Sequence, residues 1–86
     1  MAQIVHERVI ALQDSQGRRY DLARTLAEEQ PDGTWHGSIE FRSAEGHVLN
    51  TERETTQSNI AAVEYWAQGL EEIFLEGALA RAERLA

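Results

Sequence analysis

The chain has no cysteine, no lysine, a single proline and only 7% aromatic residues over its 86 positions. Without cysteine there can be no disulfide, thiolate zinc site, iron–sulfur cluster or cysteine nucleophile. No apolar run approaches the roughly 18 residues that a membrane-spanning helix requires. The start, Met1 to Arg8, has no basic segment followed by an apolar stretch, so no secretory signal is expected and a cytoplasmic location is the default. Positive charge is scarce as well. Eight arginines stand against 15 acids, for a formal net charge of −7 and a pI of about 4.8. Nucleic-acid binding draws on phosphate neutralisation, and an acidic chain starts that contest at a disadvantage. The same charge disfavours an anionic membrane surface.

The apolar fraction of 42% and charged fraction of 27% are those of a globular chain, and 1–86 reads as one α+β domain. Three turn signals divide its first half: Asp14-Ser15-Gln16-Gly17, Pro31-Asp32-Gly33 and Ser43-Ala44-Glu45-Gly46. Each ends in Gly, which supplies the positive φ of a tight hairpin loop. Their spacing predicts a four-stranded antiparallel meander. Strand 3, Thr34 to Arg42, is the clearest: Trp35, Gly37, Ile39 and Phe41 share one face, and His36, Ser38, Glu40 and Arg42 the other. Strand 1 is expected at Ile4 to Gln13 and strand 4 at His47 to Thr55. The stretch Tyr20 to Glu29 reads either as a strand, with Tyr20, Leu22 and Leu26 on one face, or as a short helix capped by Asp21. Hairpin-length flanking turns favour the strand.

After Thr55 the pattern becomes helical. Thr56 or Ser58 is the expected N-cap, and no proline follows. Ile60, Val63, Trp66, Ala67, Leu70, Ile73, Phe74, Gly77 and Ala78 form one stripe, which predicts a single long helix packed on the sheet. Such a helix spans about 38 Å and overhangs a strand of about 25 Å. Leu75, Leu79 and Leu85 then fall off the main stripe in the overhang. They read, with Arg81 and the outward Tyr65, as a homodimer interface or as a docking surface for another protein. Trp66 is expected to pack on Trp35 and Phe41. Gly69 and Gly77 each cost about 1 kcal/mol in a helix, which points to close backbone approach at both.

Motifs for chemistry are few. His6, His36 and His47 lack metal-ligand spacing, and the serines Ser15, Ser38, Ser43 and Ser58 lie outside any nucleophile elbow. There is no phosphate-binding glycine motif. No catalytic residue, cofactor or metal ligand is assigned, and the chain reads as a non-enzyme. Arg53, Thr55, Thr56, Ser58 and Asn59 precede a helix N-terminus, where free N–H groups could hold an anion or small ligand. Capping and strand exit need the same residue types.

The pattern Asp32-Gly33-Thr34-Trp35-x-Gly37, Thr51-x-Arg53-Glu54-Thr55-Thr56-Gln57 and Tyr65-Trp66-Ala67-x-Gly69-Leu70-Glu71, continuing to Ala82, resembles a family of small bacterial proteins with no assigned activity. It carries over no functional residue. The order of four strands and a long helix is also similar to that of whirly-type single-stranded-DNA-binding cofactors. That similarity implies a nucleic-acid-binding alternative through Arg8, Arg24, Arg42 and Arg53. The polar face of strand 3 offers no aromatic for base stacking, however. The leading expectation is a homodimeric interaction module.

Overall fold

A computed structural model describes all residues from Met1 to Ala86. It is an antiparallel sheet followed by two helices: β1 (Gln3–Gln13), β2 (Arg19–Glu29), β3 (Trp35–Arg42), β4 (Val48–Asn50), β5 (Thr55–Gln57), α1 (Ile60–Gln68) and α2 (Glu72–Leu85). The sheet order is β1-β2-β3-β4, and β5 also pairs with β3. The expected meander is present, and Tyr20 to Glu29 is strand.

All three hairpin loops are built alike. Asp14 N–H donates to Arg18 O and Gly17 N–H back to Asp14 O; Gln30/Thr34/Gly33 and Ser43/His47/Gly46 repeat the arrangement. Gly17, Gly33 and Gly46 have φ of 80°, 88° and 92°, the left-handed position that closes a type I turn onto a hairpin.

The fourth strand departs from expectation. It is two short segments, β4 and β5, paired with the two ends of β3. Between them Thr51 to Glu54 loop outward, yet β3 remains satisfied. Ile39 N–H donates to Thr51 Oγ1 at 2.9 Å, Thr51 N–H to Ile39 O, and Glu54 N–H to Gly37 O. A side-chain hydroxyl thus stands in for a ladder carbonyl, which accounts for the burial of Thr51.

The inner face of the sheet carries Gly37, Ile39 and Phe41 from β3, all buried. On β2 it is Ala23, Thr25 and Ala27 that face the helices. Leu22 and Leu26, expected inward with Tyr20, lie opposite Arg42 and Ser38 on the outer face. Small residues under α1 let the helix sit close to the sheet. The alternation breaks between the buried Tyr20 and Ala23, where the β1–β2 register shifts between Val9 and Leu12. Gly37 has no room for a side chain. A Cβ there would lie 2.8 Å from Thr55 Cγ2 and 3.0 Å from Val63 Cγ1.

The single long helix is replaced by two. α1 is capped by Asn59, whose Oδ1 accepts from Ala62 N–H at 2.8 Å; neither Thr56 nor Ser58 fills that role. The helix ends at Gly69, Leu70 N–H turns back to Ala67 O, and Glu71 is extended at φ −94° and ψ 164° before α2 begins. The break lets α2 lie along the sheet rather than project beyond it. Leu75 (3% exposed) and Leu79 (2%) therefore join Leu12, Tyr20, Ile39, Phe41, Ala78 and Ala82 in the core. Ile73, placed in the buried stripe by a straight helix, is exposed. Trp66 packs edge-on against Phe74, with ring centroids 5.9 Å apart. Close approach of another backbone explains neither helical glycine: Gly69 caps α1, and a Cβ on Gly77 would lie 3.3 Å from the Arg81 guanidinium, which Glu54 holds in place.

Candidate functional site

The helices cover one face of the sheet and leave the other open. Cross-strand partners share a face, so the register places Ile4, Glu7 and Val9 of β1 beside Leu26, Arg24 and Leu22 of β2 on the open side. His36, Ser38, Glu40 and Arg42 of β3 continue it. A row of charges crosses its middle. Arg24 Nε lies 2.6 Å from Glu7 Oε2 and its Nη1 3.7 Å from Glu40 Oε1, while Arg42 Nε lies 2.6 Å from Glu40 Oε1. The hydrogen bond from Arg42 to Glu40 holds the guanidinium above its usual pKa. The arginines of this face are matched by acids.

The other two arginines considered for nucleic acid are engaged elsewhere. Arg8 points to the inner face, where its guanidinium donates to Ala67 O at 2.6 Å and to Leu70 O at 2.8 Å. Ala67 O also accepts from Leu70 N–H, and both carbonyls lie at the C-terminal end of α1, where a cation is the favourable partner. Arg53 donates to Thr56 Oγ1 at 3.2 Å. The four side chains do not form one basic surface.

The Arg53–Asn59 corner is likewise divided. Thr56 pairs with His36 on the open face, whereas the Thr55 methyl is turned to Gly37 and the helices. Asn59 caps α1, and its amide donates to Ser58 Oγ at 3.5 Å. The corner holds α1 to the sheet. His6 pairs with Thr25 on the inner side, His36 lies on the outer side and His47 follows a turn, so the three histidines do not converge.

Of the residues expected at an interface, Leu75 and Leu79 are core and cannot form an exposed patch. A local pattern cannot reveal this, because it depends on the helix breaking after Gly69. Tyr65 (80%) and Leu85 (54%) are exposed. Arg81 clasps Glu54 of the looped segment with Nε at 3.1 Å and with Nη2, and it lies 5.4 Å from the Phe74 ring centroid. The hydrogen bond to Glu54 raises its pKa above the usual value.

Two surface features went unread in the sequence. One is the edge of β1. This strand has 11 residues and a single partner, β2, and it carries exposed Ile4 (52%) and Val9 (87%). The opposite edge is broken into two three-residue strands. The alternating apolar pattern of strand 1 was too loose to show which strand would be an edge. The other is a groove of about 550 Å³ between the end of β1 and α2. Its acidic side comes from Glu72, Glu76 and Glu83, which a straight helix would have carried away from the sheet. No helix is long and apolar enough to cross a membrane. No protein-family model, curated protein or solved structure matches the chain, so the functional reading rests on this geometry.

Proposed function

We infer that this protein is a non-enzymatic interaction module that works as a homodimer, with β1 as the contact element. The observation that carries the reading is the unpaired edge of β1 with Val9 and Ile4 in the open. A free strand edge presents a row of unmatched N–H and C=O groups, and pairing with another strand satisfies them. Register shifts between Ile4 and His6 and between Val9 and Leu12 bracket a regular stretch, His6 to Val9. That stretch is the segment suited to antiparallel pairing with its counterpart in a second copy.

Light scattering at two concentrations tenfold apart tests the proposal. The expected result is a mass of twice the 9.7 kDa chain, shifted to monomer by Val9→Lys. Val9 is almost fully exposed, so the substitution leaves the fold in place, and a charge on an edge strand opposes pairing. A monomer at both concentrations, or a dimer unchanged by Val9→Lys, overturns it.

A further inference from the structure

We propose that the groove between β1 and α2 is a docking site for an extended basic segment of a partner protein, added as a strand beside Ala11 to Gln13. The groove starts within the second register shift of β1, directly after the His6–Val9 stretch, so a peptide here and a second copy of β1 compete for the same edge. Its floor includes the side chains of Leu12 and Leu79, and the small Ala11 and Ala80 keep it open.

Two features define the occupant. The first is main-chain chemistry. The edge of β1 away from β2 has no partner strand, and extended peptides complete such edges with backbone hydrogen bonds. A helix flanking the edge turns it into a slot with one wall of side chains. The second is charge. Asp14, Glu72, Glu76 and Glu83 line the groove against one guanidinium, that of Arg19, which is itself held by Asp21 at 2.9 Å. Glu83 accepts from Ser15 N–H, and Asp14 from Gln16 and Arg18 N–H. Glu72 and Glu76 have no ion-pair or hydrogen-bond partner. Like charges one helical turn apart repel, and a basic segment relieves that repulsion.

The spacing of the two elements agrees. Glu72 and Glu76 are separated by about 6 Å along the helix axis. Alternate residues of a strand are about 6.6–6.8 Å apart on one face. An added strand with a base at every second position therefore sets successive cations against successive glutamates. The aliphatic stems of those bases lie over Leu79 and Ala80.

The probe is a fluorescein-labelled heptapeptide, Lys-Thr-Lys-Thr-Lys-Thr-Lys, with a Glu-for-Lys counterpart, titrated by anisotropy into the full chain at low salt. Saturable binding of the lysine peptide alone is expected, with protection of the Ala11 to Gln13 amides from hydrogen exchange. Glu72→Gln with Glu76→Gln should weaken binding at least fivefold. Glu45→Gln with Glu52→Gln, which removes the same charge from exposed sites outside the groove, should change it less than twofold. No saturable binding, equal weakening by both pairs, or no new protection at Ala11 to Gln13 overturns the proposal. The mass of the chain without peptide reads the dimer by itself, and the same titration of the monomeric Val9→Lys chain reads the groove by itself, so failure here and failure of the dimer are told apart.

Discussion

Replacing Arg8 tests the junction on which the helical layer depends. Its guanidinium makes two part-buried hydrogen bonds, 2.6 Å to Ala67 O and 2.8 Å to Leu70 O. Hydrogen bonds involving a charged group contribute about 1.5–3 kcal/mol each. Water recovers part of that at a helix end once the side chain is gone. Arg8→Met keeps the apolar stem and removes every donor, so it should cost about 2–3 kcal/mol in total. For a domain of this size that corresponds to a fall in Tm of roughly 10–20 °C. Arg8→Lys keeps the charge but has no planar fork to span both carbonyls, and should recover about half of the loss. Urea and thermal unfolding followed by circular dichroism measure both variants. A loss below about 0.5 kcal/mol for Arg8→Met, the range of an ordinary surface change, refutes the assignment of Arg8 as the cap of α1.

Three further outcomes follow from the packing and the turns. Leu79→Ala should destabilise by about 2–5 kcal/mol and Leu85→Ala by no more than about 0.5 kcal/mol, since only the former is core; equal effects in chemical denaturation would restore the straight-helix reading. Gly37→Ala should cost about 1–3 kcal/mol by overpacking, and adding Thr55→Ser, which removes the methyl 2.8 Å from the new Cβ, should return part of it in the same unfolding assay. Asp32 sits below its ordinary pKa of 3.8, chiefly because the Thr34 hydroxyl donates to its carboxylate, with the Thr34 N–H adding to the effect. Its contribution is therefore present above that ordinary value and lost as pH falls through the lowered one. Thr34→Val should move the Asp32 titration upward, read by NMR; an unmoved titration excludes the hydroxyl as the cause.

Much of the sheet was legible because its signals are local. Each Gly-ended turn needs only its own four residues and a positive φ, and the strict alternation from Trp35 to Arg42 names the buried face of β3 without knowledge of what covers it. The onset of the helix after a cluster of capping residues is local in the same sense, although the choice of Asn59 among them is decided by geometry. The candidate surfaces were far less legible. Leu75 and Leu79 looked exposed only because the helix was read as unbroken. The edge of β1 and the acidic groove exist only once strand order and helix direction are set.

The sequence by itself determined a meander of β-strands followed by amphipathic helix, because periodicity and turn chemistry act over a few residues. The tertiary structure alone decided the helix break, the split fourth strand and the roles of the arginines. A straight helix reads Leu75 and Leu79 as exposed, and with the helix broken at Gly69 to Glu71 both are buried. The carbonyls of Ala67 and Leu70 at the break are met by Arg8, 59 and 62 residues away in the chain. Groups so distant in sequence leave no periodic trace, and their pairing is set by the register of the sheet that brings them together.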